Sequence, residues 1–276
     1  MRDLAIENYL KIKHNQLDTT IIDLINDRLK KSQDKLDEES ANYYWFLQQV
    51  FLIQRSFTNA YFLLTKERFE DAWNEFDCAE IAIGYLEKNL PDSLDLQMFN
   101  ISFIDNMIKE YQKLFPYKYF ISRETIIKEE KCNICGQVVR IRNRCKHIPG
   151  KVYMGKLCLH IVTDIEIKAL AIVSDPFDKY AVIHLESKEY NYGMLKYLLE
   201  TICNPFDEFY VEAKKEKRNE YRNVAMNDFC PCGSGKKYKK CHFGSEDEFY
   251  DHFVINVKRK GESKELGIRF FGTWEE

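Results

Sequence analysis

Near the C-terminus, the run Cys230-Pro-Cys232-Gly-Ser-Gly-Lys-Lys-Tyr-Lys-Lys-Cys241-His242 crowds three thiols and an imidazole together with two glycines. Gly233 and Gly235 let the backbone turn tightly enough to aim all four side chains at one point. Zn²⁺ takes four nitrogen and sulfur ligands in a tetrahedron, and a closed Cys₃His set is a structural site rather than a catalytic one. The run therefore predicts a small fold built around an ion instead of a hydrophobic core.

The spacing Cys-x-Cys-x₈-Cys-His, with Gly-Ser-Gly-Lys between the second and third ligands, resembles the SEC-C motif. The resemblance spans Asn227 to Gly244. It implies a bound zinc at Cys230, Cys232, Cys241 and His242. It also implies contacts with protein or ribosome, and it assigns no single role, because the module rides on many unrelated bacterial proteins.

A second group of ligand-type residues lies mid-chain: Cys132-Asn-Ile-Cys135-Gly136, then Cys145-Lys-His147, then Cys158-Leu-His160. A Cys-x-x-Cys-Gly turn is the knuckle of zinc ribbons, in which two thiolates face one ion. Cys132, Cys135, Cys145 and His147 supply four donors without strain. Cys158 is the alternative to His147 in the fourth place, and His160 is a further candidate. The segment His147 to Cys158 also resembles a Cys/His module of phage-linked proteins, which implies a role for Cys158 as ligand or as packing beside the site.

Nine cysteines without a signal peptide's apolar stretch at the start predict a reducing, cytoplasmic setting, where clustered thiols bind metal rather than pair. Cys78 and Cys203 stand outside both clusters among apolar neighbours and read as buried small hydrophobes. The richest apolar run, Tyr43 to Leu64, contains Gln48, Gln49, Gln54, Arg55 and Asn59, which excludes a membrane span. A net charge of −3 argues against a protein that coats nucleic acid over its whole surface. Basic residues nonetheless gather around Arg140–Lys156 and Lys214–Lys240.

The fold class is α+β in three parts. Residues 1–116 read as a helical bundle, with apolar positions such as Phe46, Val50, Ile53, Phe57, Tyr61 and Leu64 at helical spacing. Helices on either side of Thr65-Lys66-Glu67 form an antiparallel hairpin, in which Tyr61–Leu64 and Arg68–Glu80 resemble a tetratricopeptide unit. A further helix is expected after Asp92-Ser93, from about Leu96. Residues 117–206 read as a small α/β module around the zinc knuckle, with strands near Tyr119–Ile127, Val138–Arg142, Ala169–Val173 and Tyr180–Leu185 and a helix at Tyr192–Thr201. Residues 207–276 read as a charged helix, Asp207–Val224, then the zinc module and a β-hairpin tail.

Signatures of chemistry are sparse. Gly233-Ser-Gly-Lys-Lys lacks the spacing of a phosphate-binding loop, and no Gly-x-Ser-x-Gly or His-Glu-x-x-His occurs. The sequence thus leans away from an enzyme and towards a zinc-binding cytosolic adaptor. Its basic zinc modules and helical bundle would contact a protein or ribonucleoprotein, and nucleic acid through the basic surfaces. The competing reading is a Mg²⁺-dependent nuclease, possible in a phage or defence setting. Asp175 and a strand ending in Glu186-Ser-Lys188 resemble the PD-(D/E)xK pattern, and period two would place Glu186 and Lys188 on one face.

Overall fold

A computed structural model describes residues 3–91, 94–140, 142–185, 188–259, 262–267 and 273–274. Its class is α+β, with six α-helices and small antiparallel sheets among the described residues. The chain divides into two compact units. The first comprises Met1–Gln112, Tyr117–Glu189 and Asn204–Phe206, and the second Lys113–Pro116, Tyr190–Cys203 and Asp207–Glu276. Among the described residues no helix is long and apolar enough to cross a membrane.

The first unit opens with α1 (Leu4–Lys11), α2 (Thr19–Asp34) and α3 (Glu38–Thr65). Asp3, Asp18 and Asp37 cap them, each carboxylate accepting from a first-turn amide that has no helical partner. α3 is the spine. Phe46, Val50, Phe51, Ile53, Phe57 and Leu64 are all fully buried, so this helix is apolar around most of its girth. Among its buried polar residues, Gln54 donates from Nε2 to Leu10 O at 2.7 Å and to Phe99 O at 2.9 Å. Those bonds satisfy two carbonyls that end other elements.

Glu67, at φ 57°, turns the chain into α4 (Phe69–Lys88), giving the expected antiparallel pair. The next helix starts later than its periodicity suggests. Leu96–Phe99 is a 3₁₀ turn, and Asn100 adopts φ 60°, which breaks the ladder before α5 (Ile101–Gln112).

β1 (Phe120–Cys132) and β4 (His160–Val173) form a long antiparallel ribbon, with β1 ending opposite the start of β4 at Cys132 and His160. The connection holds a tiny hairpin, β2 (Val152–Tyr153) and β3 (Lys156–Leu157). The segments Val138–Arg142 and Tyr180–Leu185, expected as strands, are reduced to isolated bridges: Lys131–Val138, Arg140–Asn143 and Phe120–Val182. In the first, Arg140 and Asn143 exchange backbone hydrogen bonds at 3.2 and 3.1 Å, and the second returns to coil after two bonds to β1's start.

The second unit contains α6 (Gly193–Leu199) and a three-stranded antiparallel sheet of β5 (Glu208–Lys217), β6 (Phe249–Arg259) and β7 (Glu262–Gly267), ordered β5-β6-β7. The charged helix expected over Asp207–Val224 is therefore a strand followed by a 3₁₀ turn, Asn219–Tyr221. Its Lys and Glu residues favour a helix, but Phe209 and Val211 alternate into the core and ten residues pair with β6. Tertiary pairing overrides local propensity here. The tail hairpin forms as β6 and β7, while its tip at 260–261 lies outside the described residues.

Candidate metal centres

In the second unit the connection from β5 to β6 carries the C-terminal ligands. Gly233 (φ 77°) and Gly235 (φ 70°) make the turn between Cys232 and the lysine run. The Cys230 amide donates to Lys236 O at 2.8 Å, closing that turn. Ligand atoms of Cys230, Cys232, Cys241 and His242 all lie within 4.8 Å of one another. His242 Nδ1 is 3.3 Å from both the Cys230 and Cys241 sulfurs, and Cys232 Sγ is 3.6 Å from Cys241 Sγ. A tetrahedron with metal–sulfur bonds of about 2.3 Å has edges of about 3.7 Å, so the donor set fits zinc in both chemistry and spacing.

Packing explains why the loop holds this shape. Tyr238 is fully buried and stacks on Tyr221 at 5.7 Å, and Tyr221 in turn stacks on the His242 ring at 5.4 Å. The Tyr238 hydroxyl and the Gly244 amide both donate to the buried Glu248 carboxylate, which also pairs with Lys217 at 2.8 Å. Burial works to raise that carboxyl, but Lys217, Tyr238 and Gly244 together hold it at about 2. The hydroxyl and amide of Ser234, with neighbouring thiols, bring Cys232 down to about 6, while burial pushes Cys230 up. Neither Ser234 nor Glu248 was predicted. The Gly-Ser-Gly spacing hints at the first, whereas the second depends on a fold that returns β6 beside the loop.

In the first unit the ribbon ends in the other donor set. Cys132 is the last residue of β1, and the Gly136 amide returns to Cys132 O at 2.8 Å with Gly136 at φ 72°. Asn133 clamps this knuckle: its side chain accepts from the Leu159 amide at 2.8 Å and donates to Leu157 O at 2.9 Å. Donor atoms of Cys132, Cys135, Cys145 and His147 lie within 4.8 Å of one another, and Cys132 Sγ is 3.7 Å from His147 Nδ1. Burial raises the Cys132 thiol, but the Cys135 and Ile134 amides and the Cys145 and Cys135 thiols outweigh it and bring it to about 6. Such a thiol is ready to act as a thiolate ligand.

Cys158 is buried with its sulfur 3.9 Å from Cys132 Sγ, yet it falls outside the mutually close set of four. His160 also falls outside that set and pairs with Glu130 at 3.0 Å. Cys78 and Cys203 are exposed, contrary to their expected burial: apolar neighbours in sequence occupy the buried positions of α4 and of the chain after α6.

Residues 226–244 match the SEC-C motif family. The C-terminal module is a SEC-C motif. SEC-C-bearing relatives include protein translocase subunit SecA of Solidesulfovibrio magneticus, 72% identical over 32 residues, which is 11% of this chain and 4% of that protein. SecA of Lawsonia intracellularis is 37% identical over 70 residues, 24% of this chain and 8% of its own length. SecA 1 of Bordetella avium is 61% identical over 31 residues, 11% and 3% respectively. The chain thus spans less than a tenth of the length of these relatives. No solved structure matches the chain.

Asp175 is exposed in a bend after β4, and Lys188 is exposed in coil. Glu186 lies outside the described residues.

Proposed function

We propose that the chain is a zinc-stabilised adaptor that contacts a protein or ribonucleoprotein partner. The observation that carries this reading is the closure of both donor sets. Each offers four protein ligands within 4.8 Å, which leaves no open position of the kind a catalytic zinc needs. Zinc at these sites supplies folding energy to loops too short to bury a core.

Charge supports a contacting role. Lys236, Lys237, Lys239 and Lys240 of the SEC-C module are exposed, with no ion pair among the described residues. Arg140, Arg142, Arg144 and Lys146 around the knuckle are exposed in the same way. Unneutralised cations of this kind suit an acidic partner or a phosphate backbone.

The full chain, zinc-loaded, is incubated with single- and double-stranded DNA and RNA and with Mg²⁺. The adaptor predicts no cleavage of any of them. Cleavage that disappears in Lys188→Ala would replace the adaptor with the nuclease reading. Binding to labelled RNA that weakens steeply with salt identifies a ribonucleoprotein partner, and its absence points to a protein one.

A further inference from the structure

The β1–β4 ribbon carries an apolar face that stays largely exposed among the described residues. Directly opposed residues of an antiparallel pair share a face, so Ile121 with Ile172, Arg123 with Leu170, Thr125 with Ile167 and Ile127 with Ile165 line one side. The aliphatic side chains in this row are between 40% and 71% exposed. Monomeric proteins rarely leave so continuous an apolar row in water.

A register shift builds that row. Glu124 pairs with Ala169 and Thr125 with Ile167, so Lys168 is an extra residue, a β-bulge. Without it, period two would send Ile165 and Ile167 to the face opposite Leu170 and Ile172. The bulge keeps all four together.

Ile121, Arg123, Thr125 and Ile165 form one wall of a groove of about 750 Å³. Its other wall is α4 and the loop after β4, including Asp77, Ile81, Phe177 and Asp178. Ile81 and Phe177 are exposed. Lys179 is already engaged by Glu80 at 2.6 Å and Gln112 at 2.8 Å. The Asp77 carboxylate has no hydrogen-bond or ion-pair partner among the described residues, and Arg123 across the groove pairs with neither Asp77 nor Asp178. Burial, then the charges of Asp178 and Glu80, push the Asp77 carboxyl up, as expected where negative charge is under-compensated.

We propose that this groove docks a short amphipathic polypeptide segment of a partner protein, aliphatic towards the ribbon and carrying lysine or arginine towards Asp77 and Asp178. The apolar wall supplies burial, and Asp77 and Asp178, neither of them in an ion pair among the described residues although Asp178 accepts from the Tyr180 amide at 3.0 Å, select the charge and orientation of the occupant. The site uses none of the metal-ligating residues. It goes beyond the adaptor reading by naming the chemistry of what is held. Failure of the groove leaves the zinc centres and the basic surfaces untouched.

The test presents a random short-peptide library to the zinc-loaded full chain and selects for binding. Enriched peptides should share aliphatic residues and at least one Lys or Arg. Their affinity should fall by about tenfold or more in Ile121→Glu and Ile165→Glu. Asp77→Asn with Asp178→Asn should weaken binding several-fold and flatten its salt dependence. Ala169→Lys, opposite Glu124 on the other ribbon face, should leave binding intact, which separates docking from ribbon folding, and unchanged zinc content checks each variant. Enrichment no greater than for Ile165→Glu, or peptides indifferent to the Asp77 and Asp178 changes, would overturn the proposal. A wild-type dimer in sedimentation that Leu170→Glu dissociates would assign the face to a second copy and overturn it equally.

Discussion

The Gly155 amide donates to Asn42 Oδ1 at 2.8 Å, seating the tip of the β2–β3 turn on α3 across 113 residues of sequence. Gly155 sits at φ 69°, and a Cβ there would lie 2.3 Å from Leu29 Cδ1 and 2.9 Å from the Ala41 carbonyl oxygen. Gln33 Nε2 donates to Met154 O at 2.8 Å beside it, and Asn89 grips the loop again through Gly150 O at 2.7 Å and the Val152 amide at 3.0 Å. The central metal loop is thus fastened to the helices by side-chain amides.

Gly155→Ala should therefore destabilise the first unit by about 2 kcal/mol or more, from the left-handed backbone and the clash together. Asn42→Ala should cost about 1–2 kcal/mol through the stranded amide. Trp45 and Trp73 are buried in the same unit, so their fluorescence during urea unfolding reads both changes. A Gly155→Ala midpoint equal to wild type would contradict the seating.

Gln54→Ala removes the donor for two carbonyls and leaves a cavity in the spine. The expected loss is about 2–4 kcal/mol in the same urea titration.

Much of this architecture was legible in the sequence because its signals are local. The helix hairpin follows from apolar spacing and the two donor sets from Cys and His spacing, and the tail hairpin from its turn residues. What escaped depends on distant partners. β5 reads as a helix until β6 pairs with it, and Lys168 becomes a bulge only against Glu124. Glu248 looks like a solvated acid in Ser245-Glu-Asp-Glu248, yet it is pinned by Lys217, far back in the chain. His147 and Cys158 could not be ranked by spacing, because both reach Cys132 only after the ribbon brings β4 back.

That ranking is testable. His147→Ala should lose the central zinc, whereas Cys158→Ser should keep it and lose stability, since burial and the neighbouring Cys132 push the Cys158 thiol up to about 11. Zinc content of the two variants separates these outcomes, and the reverse result would make Cys158 the ligand.

Glu248 gives the second unit a pH signature. Its carboxyl sits at about 2 against an ordinary 4.5, so its stabilisation is complete above about 4.5 and is lost as pH falls towards 2. Glu248→Gln should lower the thermal midpoint at pH 7, and its deficit relative to wild type should shrink below pH 4.5. A deficit that stays constant down to pH 3 would mean the charge of Glu248 contributes nothing.

The central claim is that two closed Cys₃His centres hold this chain together. Elemental analysis of the purified full chain tests it most directly. The account predicts two zinc ions per chain, falling to one in Cys232→Ser and to one in Cys135→Ser, each with loss of the matching loop's protection from proteolysis. Two variants that both retain two zincs, or a wild-type chain holding none, would contradict it.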